Sequence, residues 1–201
     1  MTAAPDPFLA EALRHHCHVI LGGRVARVAG DWWVYGSAHV DRVTGGRVSV
    51  HDSASVDLVK DGWVWACDSA SVRLVKGGTT CAIERARVGV VAGGMVLACD
   101  FTRICVVEGG EVEARHDARV ELVAGGQVRA CCKACVGHVA DGRVEARDYA
   151  HVALVEGGVV EVYGSRARIA LVTGGVVVAD DPRCIERIDG GEVRVREGAG
   201  A

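Results

Sequence analysis

Glycine pairs recur along this chain at a fixed interval, and the interval leaves few ways to fold. Gly45-Gly46, Asp61-Gly62, Gly77-Gly78, Gly93-Gly94, Gly109-Gly110, Gly125-Gly126, Asp141-Gly142 and Gly157-Gly158 follow one another every sixteen residues. Gly174-Gly175 comes after seventeen and Gly190-Gly191 after sixteen again. Upstream, residues 31–46 are a full copy and 16–30 a shortened one. That makes about eleven copies, with residues 192–196 opening another. A tandem period of this kind is the signature of a repeat architecture.

Numbered from the residue after each glycine pair, the columns are regular. Position two reads Val48, Val64, Thr80, Val96, Val112, Val128, Val144, Val160. Position four is Ala or Val (Ala66, Ala98, Val162), position eight mostly Ala (Ala54, Ala70, Ala86), and position ten Val or Ile (Val56, Val72, Ile104). Position twelve is mostly Leu or Val, and position thirteen is an unbroken run of Val from Val59 to Val172. Polar residues separate most of these columns, which is the period-two pattern of a strand. Sixteen residues are too few for a helical-pair repeat. The fold class this predicts is all-β: a single-stranded parallel β-solenoid (β-helix) of about 16 residues per coil, equivalent positions stacking about 4.8 Å apart. One strand is expected from position one to five, then a tight corner, then a second stretch from eight to thirteen. One coil alone would leave both of its strand edges unpaired, so each copy depends on the next.

The ends need cover, because an open coil presents a strand edge. Asp6-Pro7 reads as a helix N-cap and first turn, and Phe8, Leu9, Ala12 and Leu13 form one apolar face. The expected organisation is a short capping helix within residues 1–15, a solenoid over 16–196 and a flexible tail at 197–201. Towards the C-terminus the pattern loosens: Arg166 is one residue too many, Pro182 enters a corner and Arg183 stands where Ala is usual. Net charge is −3, which offers no polybasic surface. Neither a signal-peptide run nor an apolar stretch of about 18 residues occurs, so no membrane partner is expected. Nine cysteines, an odd number, read as reduced thiols and place the chain in the cytoplasm or in a particle assembled there.

Several columns could carry chemistry. Asp52, Asp68, Glu84 and Asp100 at position six read as turn residues bonding their own corner, with a cation column as the alternative. Cys132 and Cys135 sit in "CCKACVGH", with His116 one coil below Cys132 and His151 one coil above Cys135. These four are the candidate metal ligands, and His138 falls in a column expected to face inward. Because Cys132 belongs to the corner, the set does not converge as a tetrahedral centre must, and no metal or other cofactor is expected. His16 and His18 could share one strand face. Trp33 and Trp65 share position three with Ser49 between them, and Trp63 and Tyr35 lie near. Trp33, Trp63, Trp65 and Tyr35 form the candidate binding patch, suited to a protein or a glycan. Arg87, Arg103, Arg119 and Arg168 make a basic stripe too interrupted for nucleic acid. No Ser–His–acid set is evident in the sequence.

The phrases "VYGSAHV", "VHDSASV" and "ACDSASV" resemble the short repeats of bacterial and phage β-solenoid proteins, including the bactofilin-like polymer-forming group. Hexapeptide-repeat acyltransferases are also similar in style, but they use three units per coil and a catalytic His, whereas one unit per coil occurs here. The resemblance implies a non-enzymatic scaffold acting inside a larger assembly, a filament or virion-type particle, through self-association or protein partners at a solenoid end or lateral face. The alternatives are a glycan- or protein-binding module using the Trp patch, and a metal-binding solenoid enzyme.

Overall fold

The structure, a computed structural model, describes residues 18–196. The expected capping helix within 1–15, the tail at 197–201, and His15 and His16 lie outside the described residues. Within them the chain is a parallel β-solenoid of about eleven turns. Its strands form one continuous sheet in which each coil pairs with the next. The sixteen-residue offset is the ladder register: Val56 pairs with Val72, Val72 with Val88, and Val112 with Val128, all parallel. The shortened first copy closes with smaller offsets, Trp32 opposite His18 and His39 opposite Arg24. The seventeen-residue copy expels its extra residue at a corner. Arg166 is exposed and lies over the Tyr149 ring, and the register recovers at Val152 and Ile169.

Five positions per coil face the interior. In one coil these are Val48, Val50, Ala54, Val56 and Val59, each at most 1% exposed. Positions ten and thirteen both point inward, which a straight strand of period two cannot do. The ladder passes over position eleven (Asp57, Arg73), and the coil bends there. The bend sends position twelve to the outside. Leu58, Leu74, Val90, Val106, Leu122, Leu154 and Leu171 are partly exposed, whereas Val59, Val75 and Val91 beside them are buried. His138, expected to face inward, follows this column out and meets Glu156 Oε2 at 2.8 Å.

From Gly36 to Gly164, position six of each coil is a left-handed corner. Asp52, Asp68, Glu84, Asp100, His116, Cys132 and Asp148 have φ between 56° and 61°, a region Asp and Asn tolerate better than most residues. Small residues at positions four and eight leave room for the turn. The glycine pairs do more than punctuate. A Cβ on Gly94 would lie 2.6 Å from the Gly78 carbonyl oxygen, and one on Gly93 2.6 Å from that of Lys76. Successive backbones therefore touch at these corners.

The last described coil departs from the pattern. Asp181 caps a short 3-10 turn, Pro182–Cys184, by accepting the Arg183 N–H. The turn shifts the chain by one place, so Arg183 does not enter the slot that Ala fills elsewhere. Cys184 fills it, 1% exposed, and Arg183 pairs outside with Asp181.

Candidate functional site

The position-six acids bond across coils and not within their own corner. Asp52 Oδ2 accepts the Gly36 N–H at 2.9 Å, Asp68 Oδ2 that of Asp52 at 3.0 Å, and Glu84 Oε2 that of Asp68 at 3.0 Å. Asp148 does the same for Cys132 at 3.2 Å, and in the irregular last coil Asp180, at position five, does so for Gly164 at 2.8 Å. A carboxylate is well suited to this task, since it accepts from a corner N–H that the strand ladder cannot reach. The expectation of a turn bonded to itself is corrected: the acids are rungs between turns.

The four aromatic candidates divide into two groups. Tyr35 is buried, 6% exposed, and its ring stacks on His51 at 4.7 Å, with Trp33 on the same His51 ring at 5.6 Å. One coil further on, Trp63 and Trp65 form a tilted pair with centroids 5.7 Å apart. Of the four, only Trp63 is widely exposed, at 49%. The reading of one exposed patch is therefore corrected: Tyr35 is covered by its stack with His51 and Trp33, and Trp63 with Trp65 beside it is the accessible platform. His51, sixteen residues after Tyr35, joins the stack by register alone. Two further exposed aromatics, Phe101 and Tyr149, occupy position seven at the corners. They were readable as departures from a column that is usually polar.

Register also assembles a set that the sequence conceals. Ser49 Oγ lies 2.8 Å from His51 Nε2, and His51 Nδ1 lies 3.7 Å from Asp68 Oδ2. The connectivity is that of a nucleophile, base and orienting acid, contrary to the expectation that no such set exists. The second distance is too long for a hydrogen bond, and Asp68 Oδ2 already accepts from Asp52. Ser49 sits in mid-ladder between Trp33 and Trp65, where main-chain N–H groups serve the sheet and offer no oxyanion donor.

A second histidine bridges coils nearby. His39 Nδ1 is 2.8 Å from Ser55 Oγ, and its Nε2 lies 3.2 Å from Asp41 Oδ1 and 3.4 Å from Asp57 Oδ2. Both carboxylates also carry a guanidinium, Arg24 on Asp41 at 2.7 Å and Arg73 on Asp57 at 3.1 Å. The Arg73 bond holds the Asp57 carboxyl below its usual range. Two carboxylates face two guanidiniums in this cluster, which clamps adjacent turns.

The four candidate metal ligands fall at two different positions of the coil. Cys135 and His151 are ladder neighbours at position nine, while Cys132 and His116 belong to the left-handed corner. The set that does converge is different: the ligand atoms of Cys131, Cys132 and Asp148 lie within 4.8 Å of one another. Burial, followed by the neighbouring Cys132 thiol, pushes the Cys131 thiol up to about 11. Burial does the same to Cys67, helped by Asp68 and Glu84. The cysteines among the described residues are all free thiols, and no helix among those residues is long and apolar enough to cross a membrane.

Fold and site together define the chain as a β-solenoid repeat protein. No protein-family model matches it, and neither the curated proteins nor the solved structures compared with it give a match. The resemblance to bactofilin-like repeats is therefore one of repeat style, with no relative to extend it.

Proposed function

We propose that this protein is a non-catalytic scaffold, a rod about 50 Å long from ~11 coils at about 4.8 Å each, working within a larger assembly. The observation that carries this is the outward column at position twelve. Leu58, Leu74, Val90, Val106, Leu122, Leu154 and Leu171 form an aliphatic stripe along one lateral face, broken at His138. Gly89, Gly137, Ala153 and Ala170 at position eleven keep its border low in four coils, while Asp57, Arg73, Cys105 and Glu121 stand there in the others. A straight apolar stripe along one face is a surface on which another elongated partner can lie closely. The last described coil adds a second apolar surface. Ile188 and Val195, at positions buried in every earlier full coil, are 53% and 54% exposed. Lateral or end-to-end joining of rods, as in the bactofilin-like group whose repeats it resembles, is the finer form of this proposal.

Light scattering across a concentration series tests it. The wild-type chain is expected to form larger species, and V106K/L122K to remain monomeric with an unchanged circular-dichroism spectrum. A wild-type chain that stays monomeric and captures no partner in pull-downs would overturn the proposal.

A second reading, a glycan- or protein-binding module, is favoured by the exposed Trp63 with Trp65 beside it. Flat exposed aromatic faces stack on sugar rings and anchor protein interfaces. Glycan-array or partner binding that W63A/W65A leaves untouched would dispose of it.

A further inference from the structure

We propose that Cys131, Cys132 and Asp148 form a binding site for a thiophilic divalent cation, with zinc the natural occupant of such a donor set. Adjacent residues on a strand send their side chains to opposite faces, so neighbouring cysteines do not normally share a ligand. Here the strand ends at Ala130, and Cys132 takes the left-handed corner at φ 61°. That turn brings the two thiols together, and the ligand atoms of both and of the Asp148 carboxylate lie within 4.8 Å of one another. A tetrahedral ion with sulfur at about 2.3 Å and oxygen at about 2.0 Å spaces its ligand atoms roughly 3.5–3.8 Å apart. Small side-chain rotations reach that spacing.

Three further observations point the same way. Asp148 is held in place, because its Oδ2 accepts the Cys132 N–H at 3.2 Å, an arrangement that fixes a metal-binding carboxylate before the ion arrives. Among the described residues Asp148 has no cationic side chain paired with it, unlike Asp41 and Asp57 with their arginines. Finally, the residue at 132 is odd for its column. Among the described residues, every other non-glycine residue with this corner φ is an acid, except His116, and the acids serve as rungs to the coil below. A thiol is a weak acceptor, so Cys132 occupies a left-handed corner without the bond that usually accompanies it.

Binding is written as one cation taking two thiols and one carboxylate. Two metal–sulfur bonds and one metal–oxygen bond form, two S–H bonds break, and both protons go to solvent. The complex carries one net negative charge, and water fills the fourth position. The Cys131 thiol also donates to the Ala114 carbonyl at 3.7 Å, and this bond is given up on metallation. Because protons are released as thiolate–metal bonds form, affinity rises with pH.

The test uses the full chain, reduced, titrated with Co2+ and then displaced by Zn2+. One cobalt per chain is expected, with thiolate charge-transfer and tetrahedral visible bands and release of about two protons per ion. With zinc bound, peptide mapping after alkylation is expected to show Cys131 and Cys132 protected while Cys105 and Cys135 are modified. C132S should lower affinity by at least ~100-fold and D148N by about 10-fold, with C135S unchanged. Should C132S misfold, C132D restores the residue type usual at this column and is expected to fold while losing the two-thiolate spectrum. Zinc that fails to protect Cys131 and Cys132, or cobalt binding that survives C132D with its spectrum intact, overturns the proposal.

Discussion

Thr80 occupies a column that holds Val in every other coil from Val48 onward, and its hydroxyl is buried with no hydrogen-bond partner among the described residues. Thr102, the odd residue in the Ala column, is also buried, but its hydroxyl donates to the Ala82 carbonyl at 3.0 Å. The two threonines look alike in sequence and differ in energy, since an unmade buried hydrogen bond costs more than a made one returns. T80V should therefore stabilise the protein by about 1–2 kcal/mol, measured as a higher urea midpoint at unchanged m-value, and T102V should not. The thiols make a second prediction at this scale. Burial raises Cys67 and Cys131 from the ordinary 9.0 to about 11, so the folded state holds protons that the unfolded state gives up first. Stability from these groups is complete below pH 9 and is lost as pH rises towards 11. Urea midpoints should be flat from pH 7 to 8.5 and fall above 9, and C67A should show a smaller fall.

At the scale of the element, the corner sets the rules. A coil is a pair of short strands whose geometry depends on two turns, one left-handed at position six and one at the glycine pair. At the second, backbones of successive coils are in contact. G94A places a methyl 2.6 Å from the Gly78 oxygen at a φ of +72°, combining steric overlap with left-handed strain. A loss of about 2–4 kcal/mol is expected. G22A is the control, because nothing lies within 4 Å of a Cβ there and its stability should be unchanged within about 0.5 kcal/mol. Thermal or urea unfolding of the pair checks both. The turn chemistry was readable from the glycine pairs and the acidic column. That each acid reaches the coil below was not, because a bond between residues sixteen apart exists only once the coils are stacked. The bend at position eleven was likewise hidden: Leu58 and Val59 are both apolar in sequence, and only the break in alternation shows which one is inside.

The whole molecule is one-dimensional in its energetics, since each turn contacts mainly its two neighbours. Removing residues 111–126 should leave a folded solenoid one coil shorter, because Gln127 then follows Gly110 with the local sequence of Glu111 restored in register. Its circular-dichroism spectrum should remain that of a β-protein, with a slightly smaller urea m-value. Removing only residues 111–118 breaks the period, exposes every inward column beyond the cut, and should abolish cooperative folding.

The amino-acid sequence determined the number of coils, their length, most of the columns that would be buried and the positions of the corners. Each of these follows from local pattern repeated at one interval. Tertiary structure decided which side of the chain each corner residue meets: the Tyr35–His51 stack, the outward stripe from Leu58 to Leu171, the replacement of Arg183 by Cys184 in the interior, and the meeting of Cys131, Cys132 and Asp148. Those contacts depend on the angle through which a turn swings a side chain. That angle is fixed by the coil packed against it, and a linear pattern does not contain it.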